Sequence, residues 1–230
     1  MKIIQYFLGI LAAFCLMIIL LITSVEAVTY WTPGFYEKEY AKYNVTEDVH
    51  MEMDDLLDVT HEMMLFLRGD REDLHVMTIV NGQEREFFNQ REIAHMEDVK
   101  GLFVGALALR RICLLTAAAC IVIMFLLKGG AKKILPRTLC IGTGLFFAVL
   151  LLLAGIISTD FSRYFVIFHE IFFNNDLWIL DPATDLLINI VPEPFFMDTA
   201  ARIGITYGIS AALLFLVCLY FILRDKKNKH

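Results

Sequence analysis

The chain holds 230 residues, 58% of them hydrophobic, and carries a net charge of −6. Soluble domains sit at about 45–50% apolar residues, so this composition excludes an ordinary soluble domain and points to an all-α membrane protein. The acidic balance argues against nucleic acid as a partner.

Four windows supply the roughly 20 apolar residues that a membrane helix needs. They are 3–22, 102–127, 138–157 and 203–223. The first is followed by "SVEA", in which Val25 and Ala27 have signal-peptidase spacing. A cleaved signal core is about 7–15 residues, so the longer run here reads as an uncleaved anchor.

Segment 23–101 comes next and is strongly acidic, with eighteen Asp or Glu against seven Lys or Arg. "WTPGFYEKEYAKYN", from Trp31, mixes aromatics with charges as headgroup-level segments do. A helix is expected over 47–67, with Thr46 as N-cap, Gly69 as stop, and Met53, Leu56, Leu57, Thr60, Met64 and Leu67 along one stripe. Asn81-Gly82, flanked by β-branched and aromatic residues, predicts a hairpin over 75–88. From about Arg91 the helical pattern resumes and runs unbroken into the second span, placing His95 and Asp98 just before it.

A basic loop over 128–137 follows, with Lys128, Lys132, Lys133 and Arg137 and no acid. After the third span comes an outer segment over 158–202. The fourth span ends in a tail over 224–230 containing Arg224, Lys226, Lys227 and Lys229. Short basic loops stay in the cytoplasm. Both termini are therefore expected inside, with 23–101 and 158–202 forming an extracytoplasmic, mainly helical cap that contains the hairpin. Of the two arginines within the second span, one is expected to snorkel and the other to face the bundle. All five cysteines fall in the spans and read as small hydrophobes.

The chemistry-bearing candidates are few. "HEIFF" opens like a zinc-protease helix, but position 173 is Phe173 and not a second histidine, so metal chemistry of that kind is rejected. There is no Gly-x-Ser-x-Gly elbow, and the outer segments hold only Ser24, Ser158 and Ser162. No metal or cofactor site is expected. His50 and His61 read as solvated among acids, and His75 falls in the hairpin. His95 and His169 differ, each lying at the outer end of a membrane-approaching segment. In "FSRYFVIFHEIFF", Phe161, Phe165, Phe168 and Phe172 recur at helical spacing, as in a helix lying in the interface plane. Two readings of His169 stay open, a general base and a hydrogen-bonded core residue. Asn175, Asp176, Asp181 and Asp185 read first as turn and capping chemistry, with an acid that orients an imidazole as the alternative. Trp178, Phe195 and Phe196 add an apolar floor.

"HMEDVKGLF" before the second span and "FHEIFFNNDLWILDPATDLLINIVPEPFF" before the fourth make the chain resemble the lipoprotein intramolecular transacylases of Gram-positive bacteria. The resemblance covers nearly the whole chain. It implies a cell-membrane acyltransferase acting on diacylated lipoproteins, moving the sn-2 acyl chain of the diacylglyceryl-cysteine onto the cysteine α-amino group. It also implies that His95 and His169 are the catalytic pair. Substrate-orienting roles are then open to Arg163, Asn175, Asp176, Trp178 and Asp185, with the lipoprotein and membrane lipids as partners. The competing reading is a non-enzymatic lipid- or lipoprotein-binding chaperone or sensor. A small transporter is disfavoured because the spans have few charges and no pair of broken helices.

Overall fold

The computed structural model describes residues 1–127 and 130–227. Expectations resting on Lys128, Lys229 and His230 lie outside the described residues. In chain order the elements are α1 (Lys2–Thr29), α2 (Phe35–Lys42), α3 (Val45–Val49), α4 (Met53–Arg68), β1 (Met77–Val80), β2 (Gln83–Glu86), α5 (Gln90–Leu126), α6 (Ala131–Ile157), α7 (Phe161–Phe172), α8 (Leu186–Ile190) and α9 (Glu193–Lys227). The protein is thus mostly helical with one small antiparallel sheet, and α1, α5, α6 and α9 are long and apolar enough to cross a membrane. The chain divides into two compact units. One comprises Met1–Ala27, Leu107–Thr159 and the chain from Ala201 on; the other comprises Val28–Ala106 and Asp160–Ala200.

In the first unit, small residues set the packing of α1 on α6. A Cβ on Gly9 would stand 2.4 Å from Thr138 Oγ1, and one on Gly142 would stand 2.6 Å from the Ala13 Cβ. Gly9 and Ala13, like Thr138 and Gly142, are four residues apart, the spacing by which membrane helices approach closely. Ala13, Leu139 and Cys218 then join α1, α6 and α9 in one cluster, and Cys15, Cys113 and Ala117 join α1 to α5. All five cysteines are free thiols. Gln5, fully buried, donates its Nε2 to the carbonyls of Met124 (3.2 Å) and Leu127 (3.1 Å), two of the acceptors that the end of α5 leaves unused.

The two arginines within the apolar window of α5 divide their roles. Arg110 pairs with buried Glu26 of α1, whereas Arg111 is exposed. Large apolar side chains such as Leu115 and Ile141 point outward, 75% and 72% exposed, as lipid-facing residues do.

Most of the segment expected as a basic loop is helical. Helix α6 begins at Ala131 and takes in Lys132, Lys133, Pro136 and Arg137. Pro136 lies only in the second turn, where the missing N–H deprives one carbonyl, that of Lys132, of its helical donor.

In the second unit, the helix expected over 47–67 is two helices. His50 closes α3 in the left-handed region (φ 53°), and α4 restarts after extended Glu52. Histidine and asparagine tolerate that conformation better than most residues, so no glycine marks the break. Thr46 lies inside α3 and caps neither helix; Asn44 and Glu52 hold the N-cap positions. Gly69, at φ 85°, ends α4 as expected. The buried face of α4 is Leu56, Val59, Thr60, Met63, Met64, Phe66 and Leu67, with Met53 and Leu57 half-buried at its margin.

The segment from Trp31 packs most of its aromatics against the protein. Phe35 and Tyr40 are buried, and Tyr36 and Tyr40 stack on Phe195 at 6.1 and 6.0 Å between ring centres. Trp31 alone of these aromatics stays largely exposed, at 55%. The hairpin turns at Asn81-Gly82, both with positive φ, and pairs Met77 with Glu86 through to Val80 with Gln83.

Candidate active site

The site is built where α5 begins. Asn89 is its N-cap: Oδ1 accepts from the N–H groups of Arg91 (2.9 Å) and Glu92 (3.1 Å), and Glu92 Oε2 accepts from the Asn89 N–H at 2.6 Å. This is a capping box. Glu92 Oε1 reaches further, accepting the Leu187 N–H at the start of α8 at 2.6 Å. Burial pushes the Glu92 carboxyl up.

Asp185 sits beside this joint. Its side chain does not cap α8. Oδ1 accepts from Asn89 Nδ2 at 2.7 Å and Oδ2 from the Asp181 N–H at 2.7 Å. Burial works to raise the Asp185 carboxyl, but these donors and Thr184 overcome it and leave the carboxyl below its ordinary value. It ties the loop before α8 to the head of α5.

Arg91, His95 and Asp98 follow at positions i, i+4 and i+7, one face of α5. The loop after α7 is fastened to that face. Arg91 hydrogen-bonds the Asp176 carbonyl and lies 3.8 Å from its carboxylate. Asn175 Nδ2 donates to Asp98 Oδ2 at 2.8 Å, and Trp178 Nε1 donates to the Asn175 carbonyl at 3.0 Å. The indole is thereby laid against His169, with centroids 4.9 Å apart and planes at 29°.

Asp160 is the N-cap of α7, and its side chain accepts the Arg163 N–H at 3.1 Å. The helix buries one side chain, His169, and turns Val166, Phe168, Ile171 and Phe172 outward. A phenylalanine-rich helix that hides its histidine and shows its apolar side inverts the usual rule for soluble proteins. His169 lies between Phe165 and Phe173, and Phe173 meets the His95 ring edge-on at 5.3 Å.

The two imidazole centres are 6.1 Å apart. Both rings are buried, 7% exposed for His95 and 8% for His169. The apolar window of α5 begins at Leu102, so His95 precedes the span. Burial depresses the pKa of His95, and neighbouring His169 and Arg91 lower it further against the pull of Asp98, leaving it at about 4. Burial also lowers His169, opposed by its hydrogen bond to the Phe165 carbonyl. Both shifts favour the neutral ring at pH 7. His169 Nδ1 donates to that carbonyl at 2.7 Å, which leaves Nε2 with the lone pair. His95 Nδ1 is buried with no partner among the described residues. An orphaned N–H is rarer than an orphaned acceptor, so the His95 proton belongs on Nε2. One ring thus offers an acceptor and the other a donor.

Of the sequence candidates, His95, His169, Asn175, Asp176 and Trp178 come together. Arg163 is exposed and stands six residues, about 240° of helical turn, before His169, on another face of α7. Arg91 and Glu92 are not among the sequence candidates, and Asp98 is placed beside His95 by the sequence without a role. Asn89-x-x-Glu92 was legible as a capping box, and the i, i+4, i+7 spacing around His95 was the available signal for the other two. Among the described residues, no three His, Cys, Asp or Glu side chains cluster as metal ligands would.

Four helices long and apolar enough to cross a membrane mark a multi-pass membrane protein, and the pair of buried imidazoles is its candidate acid–base site. The family model described as lipoprotein intramolecular transacylase Lit matches residues 10–196, which include both histidines, and the chain belongs to that family. It is 27% identical over 175 residues to an uncharacterized protein of Aquifex aeolicus, covering 74% of this chain and 75% of that one. Its fold is similar to the in meso structure of the membrane integral lipoprotein intramolecular transacylase Lit from Bacillus cereus (TM-score 0.81, 20% identity, 99% of this chain and 100% of that chain). A variant of that protein with histidine replaced by alanine gives TM-score 0.76 at 18% identity, covering 97% and 96%.

Proposed function

We propose that the protein transfers the sn-2 acyl chain of a diacylglyceryl-cysteine lipoprotein to the α-amino group of the same cysteine. The observation that carries this reading is the buried imidazole pair, with its complementary acceptor and donor nitrogens, in a chain of the transacylase family. The α-amine, with an ordinary pKa of about 7.7–8.0, attacks the ester carbonyl while His169 Nε2 takes its proton. His95 Nε2–H hydrogen-bonds the carbonyl oxygen as it gains charge. A histidine whose pKa is about 4 is poorly suited to carry a full positive charge, so it serves as a neutral donor. The tetrahedral intermediate collapses as the bond to the sn-2 oxygen breaks, and His169 returns its proton to that oxygen. One C–N bond forms, one C–O bond breaks, and the product is an isomer of the substrate.

Amine and ester belong to one molecule, so orienting them can contribute up to about 7–11 kcal/mol toward the barrier. No covalent acyl-enzyme is needed. Trp178, Phe165 and Phe173 hold the imidazole face, and Asn175, Asp176 and Asp98 fix the loop that carries Trp178. The basic residues around 132–137 and 224–227 support cytoplasmic termini and a site facing the outside of the cell membrane. The outward apolar side of α7 supports contact with membrane lipids.

The test is tandem mass spectrometry of a diacylated lipopeptide incubated with the full-length protein in lipid discs. Its intact mass stays constant while fragment ions move the acyl group from glycerol to nitrogen. A substrate whose fragments never change, although the protein is folded and binds it, would make the protein a binder.

A further inference from the structure

A groove of about 590 Å³ opens between α4 and β1, within the same unit as the imidazoles and separate from them. Its helical wall presents Asp55, Asp58 and Glu62, three, four and seven residues apart along one stripe of α4. Asp55 and Asp58 take part in no ion pair among the described residues, whereas Glu62 is held by Arg71. Glu84 adds a fourth acid against that single arginine, and the two histidines on the rim, His61 and His75, do not balance the excess.

The opposite wall is a strand edge. In an antiparallel pair, successive residues turn their backbone groups alternately toward the partner and away from it. The Phe87 N–H donates to the Val76 carbonyl, and the Val80–Gln83 pair closes a two-residue turn. Residues 76, 78 and 80 therefore face β2, and Met77 and Ile79 direct their N–H and C=O groups outward. The next outward N–H, that of Asn81, is taken by the His50 carbonyl at 2.9 Å, but no described residue takes those of Met77 and Ile79. Their side chains are 62% and 50% exposed. The groove's Arg71 end is tied to α5 by Lys100, whose Nζ donates to the Arg71 carbonyl at 2.8 Å. Lys100 follows His95 by five residues.

We infer that this groove takes an extended, basic segment of the polypeptide that follows the lipid-bearing cysteine, adding it as a third strand on β1. Backbone pairing with Met77 and Ile79 supplies sequence-tolerant affinity, and the unpaired carboxylates of α4 select positive side chains. The inference rests on the transacylase reading for the identity of its ligand. It predicts a preference for substrates with lysine or arginine near the modified end.

The experiment uses the full-length protein in neutral phosphatidylcholine discs and a short fluorescein-labelled peptide with lysine at alternate positions and no lipid. Anisotropy is expected to show binding that weakens roughly fivefold in an Asp55→Asn/Asp58→Asn variant at low salt, the scale of two exposed ion pairs. Binding should vanish when alternate peptide nitrogens are methylated, a change that leaves the protein untouched. No binding, equal binding to the variant, or indifference to methylation would overturn the proposal. A second arm attaches lysine- or glutamate-bearing extensions to diacylglyceryl-cysteine and follows conversion. Conversion with equal kcat/KM for both extensions removes the groove's role and leaves the transacylase reading standing. Conversion of neither removes the transacylase reading, while the anisotropy result still decides the groove.

Discussion

In the proposed reaction His95 and His169 are chemically similar residues given different jobs by what touches their Nδ1 atoms. Replacing His169 by Asn removes the proposed base and is expected to lower kcat by about 10²–10⁴-fold, with membrane abundance unchanged on immunoblots; wild-type turnover would contradict the assignment. Burial has a pH signature as well. With a folded pKa of about 4 against an ordinary 6.5 for His95, the unfolded chain binds a proton between those values that the folded chain refuses. Protons then favour unfolding, so this contribution to stability is complete above pH 6.5 and declines as pH falls toward 4. NMR of ring-labelled histidine should show His95 still neutral at pH 5.5, and a midpoint near 6.5 would mean the ring is open to water. Little of this was legible in advance. Sequence position marks both histidines as unusual, but their tautomers depend on the Phe165 carbonyl and on a burial that only folding creates.

Helices and their junctions carry the next set of expectations. Gly142→Ala and Gly9→Ala each place a methyl within 2.6 Å or less of a facing helix. Either is expected to cost about 1–3 kcal/mol as overpacking, seen as a lowered thermal midpoint in detergent. Gly155→Ala, with nothing within 4 Å, is the control and should leave the midpoint unchanged. At the head of α5, Glu92→Gln leaves one of two buried N–H groups, those of Asn89 and Leu187, facing an amide nitrogen. A loss of about 1–3 kcal/mol is expected, and an unshifted midpoint would mean the joint relaxes. Spans were legible because 20-residue apolar runs are a coarse signal. The break at His50 and the early start of α6 were not, because His50 holds a left-handed conformation without glycine and Pro136 sits close enough to a helix start to be tolerated. The anchoring of the loop after α7 was illegible for another reason: Asp98 and Asn175 lie 77 positions apart.

For the whole molecule, four apolar helices and a family match over residues 10–196 agree with what composition and the two quoted motifs implied. The motif around His169 divides in two on folding. Its histidine and Trp178 form the imidazole environment, while Asp181, Asp185 and Asn189 hold the loop together. That explains part of the polar content of an apolar stretch: His169, Asn175, Asp181, Asp185 and Asn189 satisfy backbone groups. The most direct measurement is the fragmentation spectrum of a diacylglyceryl-cysteine peptide before and after exposure to the wild-type protein and to the His169→Asn variant. The wild type is predicted to yield an N-acylated, lyso-glyceryl peptide of unchanged total mass, and the variant to leave the starting material intact. The same N-acylated product from both proteins, or from neither, would contradict catalysis by the imidazole pair.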